Sequence, residues 1–319
     1  MSRARASSTF LVVVALTIVC AQVAKAGGNA EQDQQAAASS AATPPDHSVL
    51  GRLEATGVVV RQSFVGVNAE NLPATVSYVD STLSGHSYLV DLAVKLNGFQ
   101  PVSRPDQTLL VSPSVEWHRS DRKGNGINKL SAAGNVEYFV KTGAGIRDGL
   151  IFQGQASVTR EVVGNQTEEM ASLLTTLSHK GGPGDHLQYL GYGFYYPYLG
   201  FEYFANLPLT QGTTTLAPAV DLAFATGRLY LEIHPFNSKP KGPRRFQLIG
   251  TYTYRKRVGG DRDAAQGYGL LELSALYYLD AARRVAIGYT YEDGHNPTNN
   301  FLFDRRSSIA LKLKLGGDT

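Results

Sequence analysis

Residues 285–315 read VAIGYTYEDGHNPTNNFLFDRRSSIALKLKL, and this stretch decides the fold. Polar side chains, including Glu292, Lys312 and Lys314, alternate with apolar ones on both sides of an Asn-rich link. The apolar positions are Val285, Ile287, Tyr289 and Tyr291 before the link, and Ile309, Leu311, Leu313 and Leu315 after it. Successive side chains of a β-strand point to opposite faces, so the stretch predicts two paired strands with one apolar face.

The same alternation recurs upstream, as in HSYLVDLAVKL (86–96), FQLIGTYTYR (246–255) and LLELSALYYL (270–279). It predicts about 12 strands, with 10 to 14 possible, separated by links rich in Gly, Pro, Asn and Asp. Residues 225–227 and 280–282 are predicted as tight hairpins, and residues 167–179 fit a helix about as well as a strand. The strands are expected near residues 88–97, 107–119, 133–143, 149–162, 168–179, 187–206, 215–225, 228–235, 245–256, 267–279, 283–293 and 306–315.

The N-terminal part is different in composition. Residues 1–26 combine Arg3 and Arg5, an apolar run and Ala24-Lys25-Ala26, which together are typical of a signal peptide. Residues 27–46 contain almost no large apolar group and predict a disordered linker. Residues 87–319 are expected to form one β-barrel. Residues 47–86 leave three alternatives open, namely an extra strand, a periplasmic cap or a segment folded into that barrel.

Charge and cysteine content exclude several classes of protein. The chain has 30 Lys and Arg against 27 Asp and Glu, and three of the bases lie in residues 1–26. The remainder is therefore neutral, which gives no general attraction for nucleic acid. The one cysteine, Cys20, also lies in the expected leader, so the mature chain has no disulfide or cysteine ligand. No cofactor and no metal site are expected.

Three features favour an all-β antiparallel transmembrane barrel over a soluble sheet. The apolar face persists for about five successive positions in most strands, the opposite face carries many charges, and tyrosines cluster near strand ends. A closed barrel also leaves no exposed sheet edge. A soluble periplasmic binding protein is the alternative architecture.

At residues 288–315 the chain resembles Gram-negative outer-membrane β-barrel proteins in general, and the resemblance extends over about residues 87–319. It implies a location in the outer membrane and contact with its lipids, lipopolysaccharide and the barrel-assembly machinery. The chain departs from the family at its end, where Gly-Gly-Asp-Thr follows Leu315 in place of a terminal aromatic residue. The resemblance points to no specific subfamily, and it implies a pore, transport or structural surface role.

The predicted polar faces supply the candidate site. Glu116 with His118, and Glu232 with His234, each place a carboxylate and an imidazole on one face of a strand. Four such ligands would form a metal site only if the two strands were adjacent, and salt-bridge filling of the lumen is the plainer interpretation. The full set of candidate lumen-facing binding residues is Glu116, His118, Glu232, His234, Arg255, Glu272, Lys312 and Lys314.

An outer-membrane lipid-modifying enzyme is the alternative function. Residues 294–300 resemble a His-x-Ser-Asn hydrolase element only faintly, because Pro297 and Thr298 follow His295 where Ser and Asn would stand. Catalysis is therefore not expected. Arginine pairs at 244/245, 255/257 and 305/306 are expected at strand ends or in loops, where they would contact lipopolysaccharide phosphates or anionic solutes.

Overall fold

The computed structural model describes residues 58–62, 73–82, 85–96, 99–104, 106–121, 127–141, 149–162, 166–178, 192–208, 210–211, 214–215, 219–235, 245–261, 264–280 and 283–315. The signal peptide and linker expected at residues 1–46 lie outside the described residues. No helix in the described part of the chain is long and apolar enough to cross a membrane.

Twelve antiparallel strands form a closed barrel. Each strand pairs with its neighbours in chain order, and the last strand closes the ring by pairing with the first, from Arg306↔Ser81 to Leu313↔Ala74. The strands are β1 (Ala74–Ser81), β2 (Gly85–Lys95), β3 (Gln107–Ser120), β4 (Ile127–Val140), β5 (Gly149–Glu161), β6 (Gln166–Ser178), β7 (Tyr192–Leu207), β8 (Val220–His234), β9 (Phe246–Gly260), β10 (Gly267–Tyr278), β11 (Val285–His295) and β12 (Phe303–Leu313).

The predicted number of strands is confirmed, although two of the assigned strands differ from the prediction. Residues 225–227 form no hairpin, because they lie inside β8 and pair with β7 and β9 on either side. The twelfth strand is instead β1, from a segment whose structure the sequence left open. Residues 166–178 form a strand rather than a helix.

Two shorter segments extend the barrel wall. Val59–Arg61 pairs with the end of β2, and Val60 also bridges to Leu315, so this segment continues the line of β1. Phe99–Arg104 pairs with the start of β3. The barrel wall therefore includes residues that precede the boundary at 87 expected from the sequence.

The barrel has two rims. We call the rim where β1 begins and β12 ends the termini-side rim, and the opposite one the far rim. Links between strands have 3 to 12 residues at the far rim and 6 to 13 at the termini-side rim. Outer-membrane barrels usually have their short turns on the periplasmic side. In this barrel the link lengths of the two rims overlap, so link length does not show which rim faces the periplasm.

The outward face is an apolar belt. No part of the protein covers the outward side chains Val115, Leu173, Leu229 and Ile309, whose exposed fractions are 52%, 55%, 50% and 65%. On β9 the outward positions from Phe246 to Tyr254 span about 27 Å of strand, or about 21 Å of height at a tilt of about 40°. This height approaches the apolar band of known outer-membrane barrels.

Aromatic rings and ion pairs mark the edges of the belt. Tyr78 and Tyr88 pack edge to face near the far rim, with 5.7 Å between ring centroids, and Tyr138 stacks on Phe152 toward the termini-side rim at 6.3 Å. Exposed ion pairs lie beyond the far-rim tyrosines, for example Arg305 Nε to Asp293 Oδ2 at 3.0 Å. The order of apolar band, aromatic residues and exposed charges fits a lipid bilayer and its two interfaces.

Candidate functional site

The inward face of the barrel is rich in ionisable side chains. Its acids and bases alternate with the lipid-facing residues along the same strands, as period two requires. Within the described residues, the inward set includes Asp91, Glu116, His118, Lys129, Glu168, Glu202, Arg228, Glu232, His234, Arg255, Glu272, Glu292, Asp304, Arg306, Lys312 and Lys314. Buried charges are tolerated when they are paired and hydrogen-bonded, and most of these groups are.

All eight candidate residues from the sequence lie on this inward face, but they do not form one cluster. Glu116 and His118 belong to β3, whereas Glu232 and His234 belong to β8, five strands away around the ring. The four-ligand arrangement is therefore not built. Within the described residues there is also no group of three or more His, Cys, Asp or Glu suited to a metal ion.

Each of the two histidines has its own carboxylate partner. His118 lies between Asp91 and Glu116, with Nδ1 2.8 Å from Asp91 Oδ1 and Nε2 3.2 Å from Glu116 Oε2. On the other side of the lumen, Glu232 contacts His234 Nε2 at 2.7 Å and accepts a hydrogen bond from the Tyr230 hydroxyl at 2.6 Å. Both histidines thus form hydrogen bonds with neighbouring lumen carboxylates, which gives them a structural role rather than that of metal ligands.

One ionic cluster in the lumen is centred on Glu202. Its Oε2 accepts hydrogen bonds from Arg255 Nε at 2.6 Å and from Thr226 Oγ1 at 2.7 Å, and Arg228 Nη2 lies 4.0 Å from Oε1. Arg228 also donates from Nε to Thr253 Oγ1 at 3.0 Å. One carboxylate is therefore shared by two guanidinium groups from neighbouring strands.

A second ionic group lies on β10–β12. Arg306 Nη2 donates to Glu292 at 2.7 Å, and Glu272 is the cross-strand partner of Glu292. Lys312 donates to Thr290 Oγ1 at 3.0 Å and is only 2% exposed. Glu116 on β3 and His234 on β8 are also fully buried, each with 0% exposure. The lumen is thus filled along much of its length, not lined around a wide opening.

The two sides of the lumen are filled in different ways. Along β6–β11 a packed wall of aromatic and aliphatic side chains is almost fully buried. It consists of Leu174, Tyr198, Tyr230, Ile249, Leu276, Tyr278 and Ala286. Along β3–β5 most of the inward residues are polar, and five of them carry short hydroxyl side chains, which we call the hydroxyl wall. It consists of Ser112, Ser114, Ser131, Ser157 and Thr159.

Below the hydroxyl wall, solvent reaches the inward residues nearest the termini-side rim. The inward side chains of Asn135, Glu137 and Gln153 are half-buried there, whereas the serines above them are buried. Gln153 Nε2 donates to Glu137 at 3.0 Å, and Asn135 Nδ2 donates to Ser114 Oγ at 2.9 Å. Polar side chains therefore continue from this rim along the inward face of β3–β5.

The far rim is closed by apolar packing. Phe301, from the link between β11 and β12, is 1% exposed and lies inside the barrel. Its ring centroid is 5.3 Å from that of Phe204, 5.4 Å from Phe224 and 4.7 Å from Tyr268. The Arg255 guanidinium lies 5.8 Å from the same ring. The Asn-rich link between β11 and β12 is thus partly folded into the lumen.

The surroundings of His295 offer no support for lipid hydrolysis. Its ring contacts are aromatic, with centroids 5.3 Å from both Tyr268 and Phe303. The nearby Thr298 hydroxyl donates to Asn296 Oδ1 at 2.7 Å. A nucleophile would need a base within hydrogen-bond distance, and the described residues place no such base beside Thr298.

The arginine pairs divide between two environments. Arg255 and Arg306 are inward and paired with carboxylates, so placing them at strand ends or in loops is wrong for these two. Arg257 and Arg305 lie near the far rim, and Arg305 is exposed. Arg245 is exposed at the start of β9, and residue 244 lies outside the described residues.

Several lumen residues escaped the sequence analysis. Lys129 lies on β4, which begins at Ile127, six residues before the predicted start at 133. Glu202 and Arg228 lie on strands whose aromatic neighbours or supposed hairpin hid the alternation. Asn300 and Phe301 belong to a link, where period two carries no information. The extension of β4 was detectable, because Leu130 and Ala132 continue its apolar face.

The closed sheet, the apolar outer belt and the ionic lumen together define a transmembrane β-barrel of the outer-membrane type. No family model matches the chain, and no curated protein is significantly similar to it. Solved structures with a similar fold include the NanC porin, with 11% identity and a TM-score of 0.45 over 76% of this chain and 100% of that one.

Two further structures share the architecture. Outer membrane phospholipase A from Escherichia coli has 8% identity and a TM-score of 0.44, over 76% of this chain and 89% of that one. The translocator domain of autotransporter NalP from Neisseria meningitidis has 10% identity and a TM-score of 0.38, over 81% and 88% respectively. At such identities the likeness concerns the fold alone.

Proposed function

We propose that the protein is a narrow outer-membrane pore for small polar solutes, whose path follows the hydroxyl wall. The observation that carries this proposal is the asymmetry of the lumen. The packed wall is filled by rings and aliphatic groups, whereas β3–β5 present short hydroxyl side chains that can hydrogen-bond a solute. A permeating polar solute exchanges hydrogen bonds with water for bonds with such a lining.

The path has polar groups along its length. It starts at the half-buried Glu137 and Gln153, passes Ser114 and Ser157, and ends near Lys129 at the far rim. Charges of both signs occur along the lumen, so a neutral or zwitterionic solute fits better than a strongly charged one.

The dense ionic filling favours a second candidate, a closed structural barrel. Glu202 with its two arginines and Arg306 with Glu292 would cross-brace such a barrel. Barrels of this size occur both filled and open. Electrical measurements separate the two, because only the pore passes current.

We expect Ser157→Phe to reduce single-channel conductance in planar bilayers by about half or more, because a phenyl ring would obstruct a narrow polar path. Ala156→Phe is the matched control. It adds the same ring one residue away, on the lipid-facing side of β5, and should leave the conductance unchanged. Equal conductance of the two variants would place the path elsewhere.

The proposed location includes export through residues 1–26, insertion by the barrel-assembly machinery and contact with lipopolysaccharide. We expect the mature chain to begin at Gly27, to fractionate with outer membranes and to change gel mobility on boiling. Mass spectrometry of the purified protein and a heat-modifiability gel measure these outcomes. A folded monomer that stays soluble in buffer without detergent would contradict the lipid-facing assignment of the outer belt.

A further inference from the structure

The link Asn296–Leu302 crosses the far end of the lumen. It starts with a single 3-10 turn at Pro297–Asn299, which Asn296 caps by accepting a hydrogen bond from the Thr298 amide at 2.9 Å. Asn296 Nδ2 also donates to Glu292 at 3.2 Å. The base of the link is therefore fixed to the lumen wall, and its tip is directed inward.

The tip reaches the upper end of the hydroxyl wall. Asn300 Oδ1 accepts a hydrogen bond from Lys129 Nζ at 2.7 Å, although Lys129 lies on β4, four strands from β12 around the ring. The same ammonium is paired with Glu168 at 2.8 Å. Ser131 and Thr159, which hydrogen-bond each other at 2.7 Å, lie just below on β4 and β5. The link thus ends where the proposed polar path ends.

Two contacts of unequal strength hold the tip. The bond from Lys129 to Asn300 has a neutral acceptor, whereas the bond to Glu168 is ionic, and ionic hydrogen bonds are the stronger kind. If Asn300 leaves, Lys129 keeps its carboxylate partner and no buried charge is left unpaired. The other contact is the insertion of Phe301 among Phe204, Phe224 and Tyr268.

The backbone of the tip is strained. Asn300 and Phe301 have φ values of 53° and 56°, in the left-handed region that L-residues seldom occupy. Asparagine tolerates this region, but a bulky phenylalanine does so only when its surroundings impose it. Strain of this kind makes the inward position of the link sensitive to the loss of a single contact.

We propose that the link Asn296–Leu302 is a gate that closes the pore at the far rim, with Phe301 as its plug and the Lys129–Asn300 bond as its latch. The proposal rests on the proposed pore, whose path it would block. Opening withdraws Phe301 from its aromatic pocket and breaks the latch, while the Lys129–Glu168 pair stays on the wall.

Single-channel recording of the wild-type protein and two alanine variants tests the gate. We expect wild type to be mostly closed, and Phe301→Ala to raise the open probability at least tenfold. Phe303→Ala is the matched control, because Phe303 is two residues away, 48% exposed and directed outward from the barrel. It should behave as wild type. Equal open probability for Phe301→Ala and Phe303→Ala would overturn the gate.

A cross-linking experiment covers the case in which Phe301→Ala fails to fold. The chain has no cysteine after Cys20, so Lys129→Cys with Asn300→Cys adds the only two thiols of the mature protein. The uncross-linked variant should be open more often than wild type, a short thiol cross-linker should close it, and a reductant should reopen it. A current that changes with neither the cross-linker nor the reductant contradicts the gate alone. Absence of current from wild type and all of these variants contradicts the pore itself.

Discussion

Replacing Glu202 with glutamine is expected to destabilise the barrel by about 3–5 kcal/mol, the usual consequence of removing one partner from a buried ion pair. The side chain is 2% exposed and faces Arg255 and Arg228. A glutamine amide keeps the shape but loses the negative charge. Two buried guanidinium groups would then face each other with no carboxylate between them.

The measurement is the temperature at which the folded band disappears in a heat-modifiability gel, supported by urea unfolding in detergent micelles. A loss of this size should lower the midpoint by about 6–20 °C, if the scaling for soluble domains carries over. Glu137→Gln is the control, because Glu137 is half-buried and accepts a bond from Gln153 that a glutamine oxygen can also accept. We expect its effect to stay within about 0.5 kcal/mol.

A double variant makes the test specific to charge. Glu202→Gln with Arg255→Gln removes one charge of each sign and leaves Arg228 as the unbalanced group, so it should cost less than the sum of the single changes. Strict additivity, or a Glu202→Gln effect as small as that of Glu137→Gln, would show that the pair adds little to stability.

The fold class was predictable from the sequence because a barrel strand repeats one simple rule. Period two in residues 285–315 was enough to predict β11 and β12, and these strands pair in the expected manner from Val285↔Leu313 to His295↔Phe303. A closed barrel and an ionic lumen followed from the same pattern. The eight candidate residues lie on the inward face for this reason, and their role in binding remains a prediction.

Local turn signals failed where tertiary pairing overrides them. Ala225-Thr226-Gly227 has the composition of a tight turn, yet Thr226 points inward and donates to Glu202, and the strand continues through it. The structure of β1 was left open for the opposite reason, since ATVSYVDS is short and follows Pro73. Its pairing with the last strand, which closes the ring, is a contact between distant parts of the chain that no local pattern reports.

The gate was beyond sequence reasoning for a related cause. A polar, Asn-rich link normally lies in solvent, and nothing in NPTNNFL states that Phe301 turns inward. Its position depends on rings from β7, β8 and β10 and on Lys129 from β4. These contacts come from four separate strands that meet only because the barrel is closed, so the local sequence of the link does not predict them.

Gly200→Ala is expected to impair folding more severely than any surface change, with a cost of about 3 kcal/mol or more from overpacking. A Cβ at this position would overlap the carbonyl oxygen of Leu173 and lie 2.8 Å from the Leu174 Cα. Both obstacles are backbone atoms of the neighbouring strand β6, so no side-chain rotation relieves them. The folded fraction after refolding into detergent micelles, read from the unboiled gel band, measures the effect.

Gly134→Ala is the matched control, because it makes the same change in another barrel strand where a Cβ would meet nothing within 4 Å. It should be neutral or slightly stabilising, by up to about 1 kcal/mol, since alanine has less freedom to lose on folding.

Closure of the barrel increases the expected difference between the two glycine variants. Gly200 pairs with Leu174 on one side and Thr226 on the other, so moving β7 away from β6 presses it toward β8. An open sheet could shift its edge to absorb the displacement, whereas a ring of twelve strands has no edge to shift. If both glycine variants refold equally well, the close approach of β6 and β7 at Gly200 is not a feature of the folded protein.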